Sequence, residues 1–330
     1  DRLSSPHGID AEPDGSVYVA DTGNRRVMLL ERRGARIRPV GRLPFEFVEP
    51  WAVSVNGDGS ICVTDRADGE LYMFESREDS TPGSIALPMP TGVASVSGDG
   101  WLHTSVRDAV QYVVVDDGEG LVKLVEGEVA ASVDAGDFGG EVLCYPELDY
   151  MGNVWVTDSV SCAVHKLDPD LVYLDSWGSP GTGDRELDRP RGLAIWRRFG
   201  QIFVSEREGA RYYWVGSDLR DMDLQFEPRG FSLQAVITET SSVRLEVADG
   251  DGSVATVVLH QRVGTPELSV DWDGTDRSGR HLPAGDYTFR LSIKPTYSSR
   301  DYFEKTWTEG FTLGAAPEPE PGERGGRHRR

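Results

Sequence analysis

Five prolines in the first two thirds of the chain, Pro6, Pro50, Pro90, Pro146 and Pro190, are each followed by a different side chain: His7, Trp51, Thr91, Glu147 and Arg191. An imidazole, an indole, a hydroxyl, a carboxylate and a guanidinium at matched positions would make an asymmetric polar mouth that can hydrogen-bond, stack on and charge-pair with a ligand. The plainer reading is five loop residues facing water, and the sequence leaves both open. A second series closes the second strand after each proline: Asp21, Asp65, Ser105, Asp158 and Glu206. Four carboxylates converging on a channel would raise one another's pKa or recruit a divalent cation such as calcium. Asp in such a place also bonds the backbone of the next turn, and that structural role is the expected one.

Other chemistry is thin. His7, His103 and His165 fall at three unmatched places in the pattern, so a shared three-histidine metal site is not expected, and no metal ligands are assigned. There is no Gly-x-Ser-x-Gly elbow and no phosphate loop. The three cysteines, Cys62, Cys144 and Cys162, match no zinc spacing and leave at least one thiol unpaired within the chain; Cys144 and Cys162 read as a disulfide or as small buried residues. Trp51, Trp101, Trp155, Trp177 and Trp196 could stack on a glycan or peptide, but Trp101 and Trp155 sit mid-strand, where burial is expected.

These residues recur because the chain repeats. Pro6-His7-Gly8-Ile9, then Asp14-Gly15-Ser16-Val17-Tyr18-Val19-Ala20-Asp21, then Asn24-Arg25-Arg26-Val27 set a pattern of strand, tight turn, strand, turn and strand. It returns at Pro50 with Asp58-Gly59-Ser60-Ile61-Cys62-Val63-Thr64-Asp65, and at Pro90 with Asp99-Gly100-Trp101-Leu102-His103-Thr104-Ser105. Two further copies start at Pro146 and Pro190. The spacing of the prolines is that of a four-stranded propeller blade. A solenoid has a similar period, but several short strands and no helix in each copy favour radial closure.

The residues P-x-G-I, D-G-x-V-Y-V-A-D and N-x-R-V resemble the NHL repeat. The resemblance covers roughly residues 1–216 and fades in the third copy. It implies an all-β fold with an NHL-type β-propeller over residues 1–226, of which five blades are visible. Because such propellers most often have six blades, a sixth is expected upstream of Asp1; the alternatives are a five-bladed ring or irregular structure in the wide interval from Pro90 to Pro146. Some propellers of this type are lyases that hold a divalent metal in the channel. A metal-assisted hydrolase or lyase is therefore the alternative function.

From Phe231 the period changes to in-and-out alternation over short strands such as Ser242–Val247 and Tyr287–Leu291, the signature of a β-sandwich. Trp272-Asp273-Gly274-Thr275-Asp276-Arg277-Ser278-Gly279-Arg280, followed by Leu282-Pro283-Ala284-Gly285-Asp286-Tyr287, is similar to the Ig-like domain of the flagellar hook-capping protein family. This implies a small Ig-like sandwich over residues 227–313 and, since such modules often end secreted bacterial proteins, an exported multidomain protein. The Asp-rich run is not an EF-hand, because its twelfth position is Leu282; a tight turn is expected. Residues 314–330, rich in Pro and Glu, read as a disordered tail.

Charge narrows the function. Lys+Arg 34 against Asp+Glu 55 leaves a net charge of −21, which argues against nucleic acid or anionic membrane as partner. Residues 99–188 hold 4 basic and 19 acidic side chains, so most of the excess lies there. That block is a solvated face or a lure for a cation or basic partner. No apolar run is long enough to span a bilayer as a helix. The expectation is a monomeric binding protein, extracellular, cell-surface or periplasmic. Its propeller rim would take a protein, peptide or glycan, with the Ig-like domain as spacer or anchor.

Overall fold

A computed structural model describes residues 2–12, 14–97, 109–196, 200–296 and 303–315. The chain forms two compact units, the first running to Val215 and the second starting at Gly216.

The first unit is a series of antiparallel sheets in chain order. Blade one comprises β1 (Ile9–Ala11), β2 (Ser16–Asp21), β3 (Arg26–Arg33) and β4 (Arg36–Arg42). Blade two comprises β5 (Pro50–Val55), β6 (Ile61–Asp65), β7 (Glu70–Phe74) and β8 (Gly83–Ala86). Blade three follows with β9 (Val93–Val96), β10 (Val110–Val115), β11 (Gly120–Val125) and β12 (Glu128–Asp134). Blade four holds β13 (Leu143–Leu148), β14 (Val154–Asp158), β15 (Ala163–Leu167) and β16 (Tyr173–Trp177). Blade five shows β17 (Leu193–Trp196), β18 (Gln201–Glu206) and β19 (Gly209–Trp214).

Each blade is apolar on the faces it turns to its neighbours, so one core cluster forms at each junction. Tyr18 and Val27 meet Val53, Ile61 and Phe74 between blades one and two. Cys62 and Leu71 meet Val113 and Leu124 between two and three. Val114 and Leu121 pack with Val154 and Val156, and Trp155 and Val164 with Ile202 and Val204, at the next two junctions. This explains why the second strands are apolar on both faces: β2, β6 and β14 are buried throughout. Trp155 lies among them, as its mid-strand position implies. The inner strands of all five blades border a single cavity, which is the arrangement of a propeller and not of a solenoid.

The glycine of the Pro-x-Gly marker is there because inner strands of adjacent blades nearly touch. A Cβ on Gly8 would lie 2.6 Å from Ala52 Cα, and one on Gly92 would lie 2.1 Å from the Cys144 carbonyl oxygen.

The third copy needs correction. Its second strand was expected at 101–105, but the partner of β9 is β10, Val110–Val115. The wide interval from Pro90 to Pro146 holds one four-stranded blade, in the order β12-β11-β10-β9. Trp101, His103 and Ser105 lie outside the described residues. The sixth blade is not among the described sheets. Blade five turns Trp196, Phe203, Tyr212 and Trp214 outward on the face opposite blade four, all exposed.

The second unit is a β-sandwich. β20 (Leu219–Glu227), β21 (Gly230–Ile237) and β24 (Glu267–Trp272) form one sheet, in the order β20-β21-β24; β22 (Ser241–Ala248), β23 (Val254–Val263), β25 (Gly285–Pro295) and β26 (Lys305–Leu313) form the other. Inward residues from both sheets, among them Phe231, Leu233, Leu245, Trp272, Phe289 and Phe311, build one core. The strand β20, which the boundary expected at 226/227 had left with the propeller, pairs along its length with β21, so the second unit starts earlier. In the Asp-rich loop Asp273 accepts the Thr275 N–H and Asp276 accepts those of Ser278 and Arg280, while Gly274 and Gly279 take positive φ. The loop is a pair of side-chain-braced turns.

Candidate functional site

The inner strands carry their side chains into a cavity of about 770 Å³, bordered by Ile9 and Asp10 of blade one, Val53 and Ser54 of blade two, Val93 and Ala94 of blade three, Tyr145 to Glu147 of blade four, and residues of blade five. A volume of that order suits a small molecule or the end of a larger one. Of the five post-proline residues, His7, Glu147 and Arg191 border this cavity.

Trp51 stands behind His7. Their rings stack with centroids 3.7 Å apart, and Arg66 lies over the indole, its guanidinium carbon 5.2 Å from the ring centroid. Arg66 is held in turn by a two-pronged bond to Asp117, 2.8 Å at each nitrogen, and by Glu49 at 3.2 Å. Burial, then the positive charge of Arg191, keeps the His7 imidazole below its ordinary pKa, so it is uncharged at neutral pH.

Thr91 is not a mouth residue. It is buried, its N–H bonds the Val114 carbonyl, and its own carbonyl accepts the Thr64 hydroxyl at 2.9 Å. Glu147 borders the cavity from a different level than expected. In blades one, three and five the post-proline N–H bonds the last carbonyl but one of the second strand, as in His7 to Ala20 and Arg191 to Ser205. In blade four an irregularity between Leu143 and Pro146 shifts the register. Tyr145 there bonds Thr157, as Ala52 bonds Thr64, which leaves Cys144 at the place of Trp51 and Glu147 further along the strand. The five residues therefore do not form one ring.

Three carboxylates of the second series do not reach the cavity. Asp21, Asp65 and Asp158 are buried at the ends of β2, β6 and β14 and clasp the chain that leads into their own blade. Asp21 accepts the Ser4 N–H at 2.6 Å, Asp65 those of Val48 and Glu49 at 2.7 and 2.8 Å, and Asp158 that of Glu141 at 2.5 Å. Burial works to raise all three. At Asp21 the Ser4, Asn24 and Arg26 donors outweigh it; at Asp158, His165 with the Glu141, Ser161 and Val160 N–H groups does so and drives the pKa far down. At Asp65 burial prevails and the pKa rises. In the third copy the equivalent strand end is Val115. Glu206, at the corresponding place in blade five, does border the cavity and pairs with Arg211 at 3.0 Å.

Sequence reasoning missed two features. Hydroxyls on the second strands or the turns after them reach the next blade: Thr22 bonds the Pro50 carbonyl at 2.6 Å, Thr64 that of Thr91, and Thr157 that of Arg191. The repeated Thr-Asp pair at 64–65 and 157–158 was their signal. It also missed Arg189 and Arg207, which border the cavity beside Arg191. Their signal was the crowding of basic residues around the fifth marker proline.

Among the described residues no group of three or more His, Cys, Asp or Glu side chains is placed to hold a metal, and all three cysteines are free. The Cys144–Cys162 disulfide is absent; Cys62 and Cys162 are buried, and burial pushes the Cys62 thiol up to about 12. No helix of the described residues is long and apolar enough to cross a membrane.

Residues 3–27 match the family model of the NHL repeat, and residues 228–295 match that of the FlgD Ig-like domain. No curated protein matches the chain. Among solved structures, the chain is similar to a streptogramin B lyase at 12% identity and TM-score 0.43, with 94% of each chain covered. A gluconolactonase from Xanthomonas campestris is 15% identical with TM-score 0.46 over 63% of this chain and 71% of its own. A virginiamycin B lyase from Staphylococcus aureus is 12% identical with TM-score 0.41 over 88% and 92%.

Proposed function

We propose that this is a secreted or cell-surface binding protein whose propeller channel takes a small molecule or the end of a peptide or glycan, with the Ig-like unit as spacer or anchor. One observation carries the reading: the inner strands of five blades border a single cavity of about 770 Å³ with hydrogen-bonding, aromatic and charged walls. A scaffold needing only to hold a spacer apart has no use for a cavity walled by His7, Tyr145, Glu147 and three arginines. The test is to present the full chain to glycan and peptide arrays and to measure its metal content. Saturable binding that a cavity variant such as His7→Ala weakens is the expected result. No binding on any array, together with turnover of a small substrate and a stoichiometric metal lost along with that activity, would replace the reading with a hydrolase or lyase.

A further inference from the structure

The cavity is far less acidic than the molecule, with three arginines set against the carboxylates of Asp10, Glu147 and Glu206 on its walls. The chain as a whole carries −21, yet the blade-five side of the cavity presents Arg189, Arg191 and Arg207, all exposed. Among the described residues none of the three has a carboxylate within ion-pair distance. The acidic groups on the same walls are already engaged. Asp10 accepts the N–H groups of Ala11 and Val55 at 2.7 Å each, Glu147 that of Leu148 at 3.0 Å, and Glu206 faces Arg211. Arg191 is central: its charge acts on His7 of blade one and on Cys144 and Tyr145 of blade four. In a protein with an excess of carboxylates, arginines without partners at a concave surface are free to meet an anion from solution, and the guanidinium fork matches carboxylate and phosphate oxygens in pairs.

We propose that the channel recognises a carboxylate- or phosphate-bearing ligand, gripped by Arg191 with Arg189 and Arg207 beside it, while His7 supplies a hydrogen bond and a flat wall. The inference rests on the reading of the cavity as a binding site and adds its chemical class.

Titration calorimetry on the full chain tests it with inorganic phosphate, a digalacturonate, a tetrapeptide with a free C-terminus, the same peptide amidated, and maltotriose. At least one of the three anionic probes is expected to bind, weakening as salt rises, and which one binds separates phosphate, acidic sugar and peptide terminus. Arg191→Gln should weaken that binding about tenfold or more, as for loss of a charge-assisted bond pair, with Arg207→Gln weakening it less. Arg42→Gln, whose parent side chain pairs with Glu46 and does not border the cavity, should leave it unchanged. Since Arg191 and Arg207 are exposed, unchanged melting temperatures would show that both variants fold. Binding of maltotriose or the amidated peptide as tight as that of the anions, and indifferent to Arg191→Gln, would overturn the anion class and leave the binding site standing. Saturable array ligands with no affinity for any anionic probe would do the same, whereas no ligand of any kind would remove the underlying reading.

Discussion

At the residue scale the chain uses one kind of side chain for two ends. Asp21, Asp65 and Asp158 are taken up by backbone N–H groups of their own blade, whereas Glu206 at the matching place faces the cavity. A buried carboxylate that accepts several N–H bonds is not free to bind calcium, and removing its charge leaves those donors unsatisfied. Asp158→Asn turns an NH₂ toward N–H groups and abolishes the contact to His165, 3.5 Å away. It should cost about 3 kcal/mol in urea unfolding at neutral pH. The pH dependence follows in sign. The folded pKa of Asp158 is depressed, so its contribution is present above the ordinary carboxylate value and is lost as pH falls through the folded one. The gap between wild type and variant should therefore narrow below about pH 4. A gap that stayed constant down to pH 2 would contradict this role for the charge.

At the scale of elements, the blade junctions decide which substitutions matter. Inner strands approach so closely at the marker glycine that only a hydrogen fits. Gly92→Ala would drive a methyl into the Cys144 carbonyl and the Pro146 ring, neither of which can rotate away. A loss of about 3 kcal/mol is expected. Gly136→Ala, with nothing within 4 Å, is the control and should change stability little. The two values, read from denaturation midpoints, would be equal if the glycine served only as a turn former. How much of the blades was legible follows from the same contacts. Asp-Gly turns in copies one and two, glycine turns in copies four and five and the apolar runs after them marked the strands, because local backbone geometry and two-sided burial both leave traces in residue type. Copy three misled because the pairing that defines β10 is a long-range contact with β9. The Glu147 offset was invisible for the same reason, since an irregular register changes which residues face each other without changing their order.

At the scale of the whole molecule, each unit has a core of its own, and the sandwich core from Phe231 to Leu313 contains no propeller residue. Independent cores unfold independently unless their interface is large. Calorimetry of the full chain should show two transitions, and a chain of residues 216–315 should keep a cooperative melt. A version cut at 227 should melt lower or not fold, because it discards β20 and with it one of the two partners of β21. A single transition, with residues 216–315 unfolded alone, would refute independence.

By itself the sequence determined the repeat, the all-β architecture, the switch from propeller to Ig-like sandwich and the candidacy of His7, Glu147 and Arg191, since each leaves a local mark in turn residues, periodicity or side-chain type. Only the tertiary structure decided which of the candidates meet. It buried Thr91, set Trp51 behind His7, turned three aspartates into clasps and gathered Arg189, Arg191 and Arg207 on one wall. The reason is physical: whether a polar side chain faces a cavity or a backbone N–H depends on register and on the neighbouring blade, and neither is written in the residue's own surroundings along the chain.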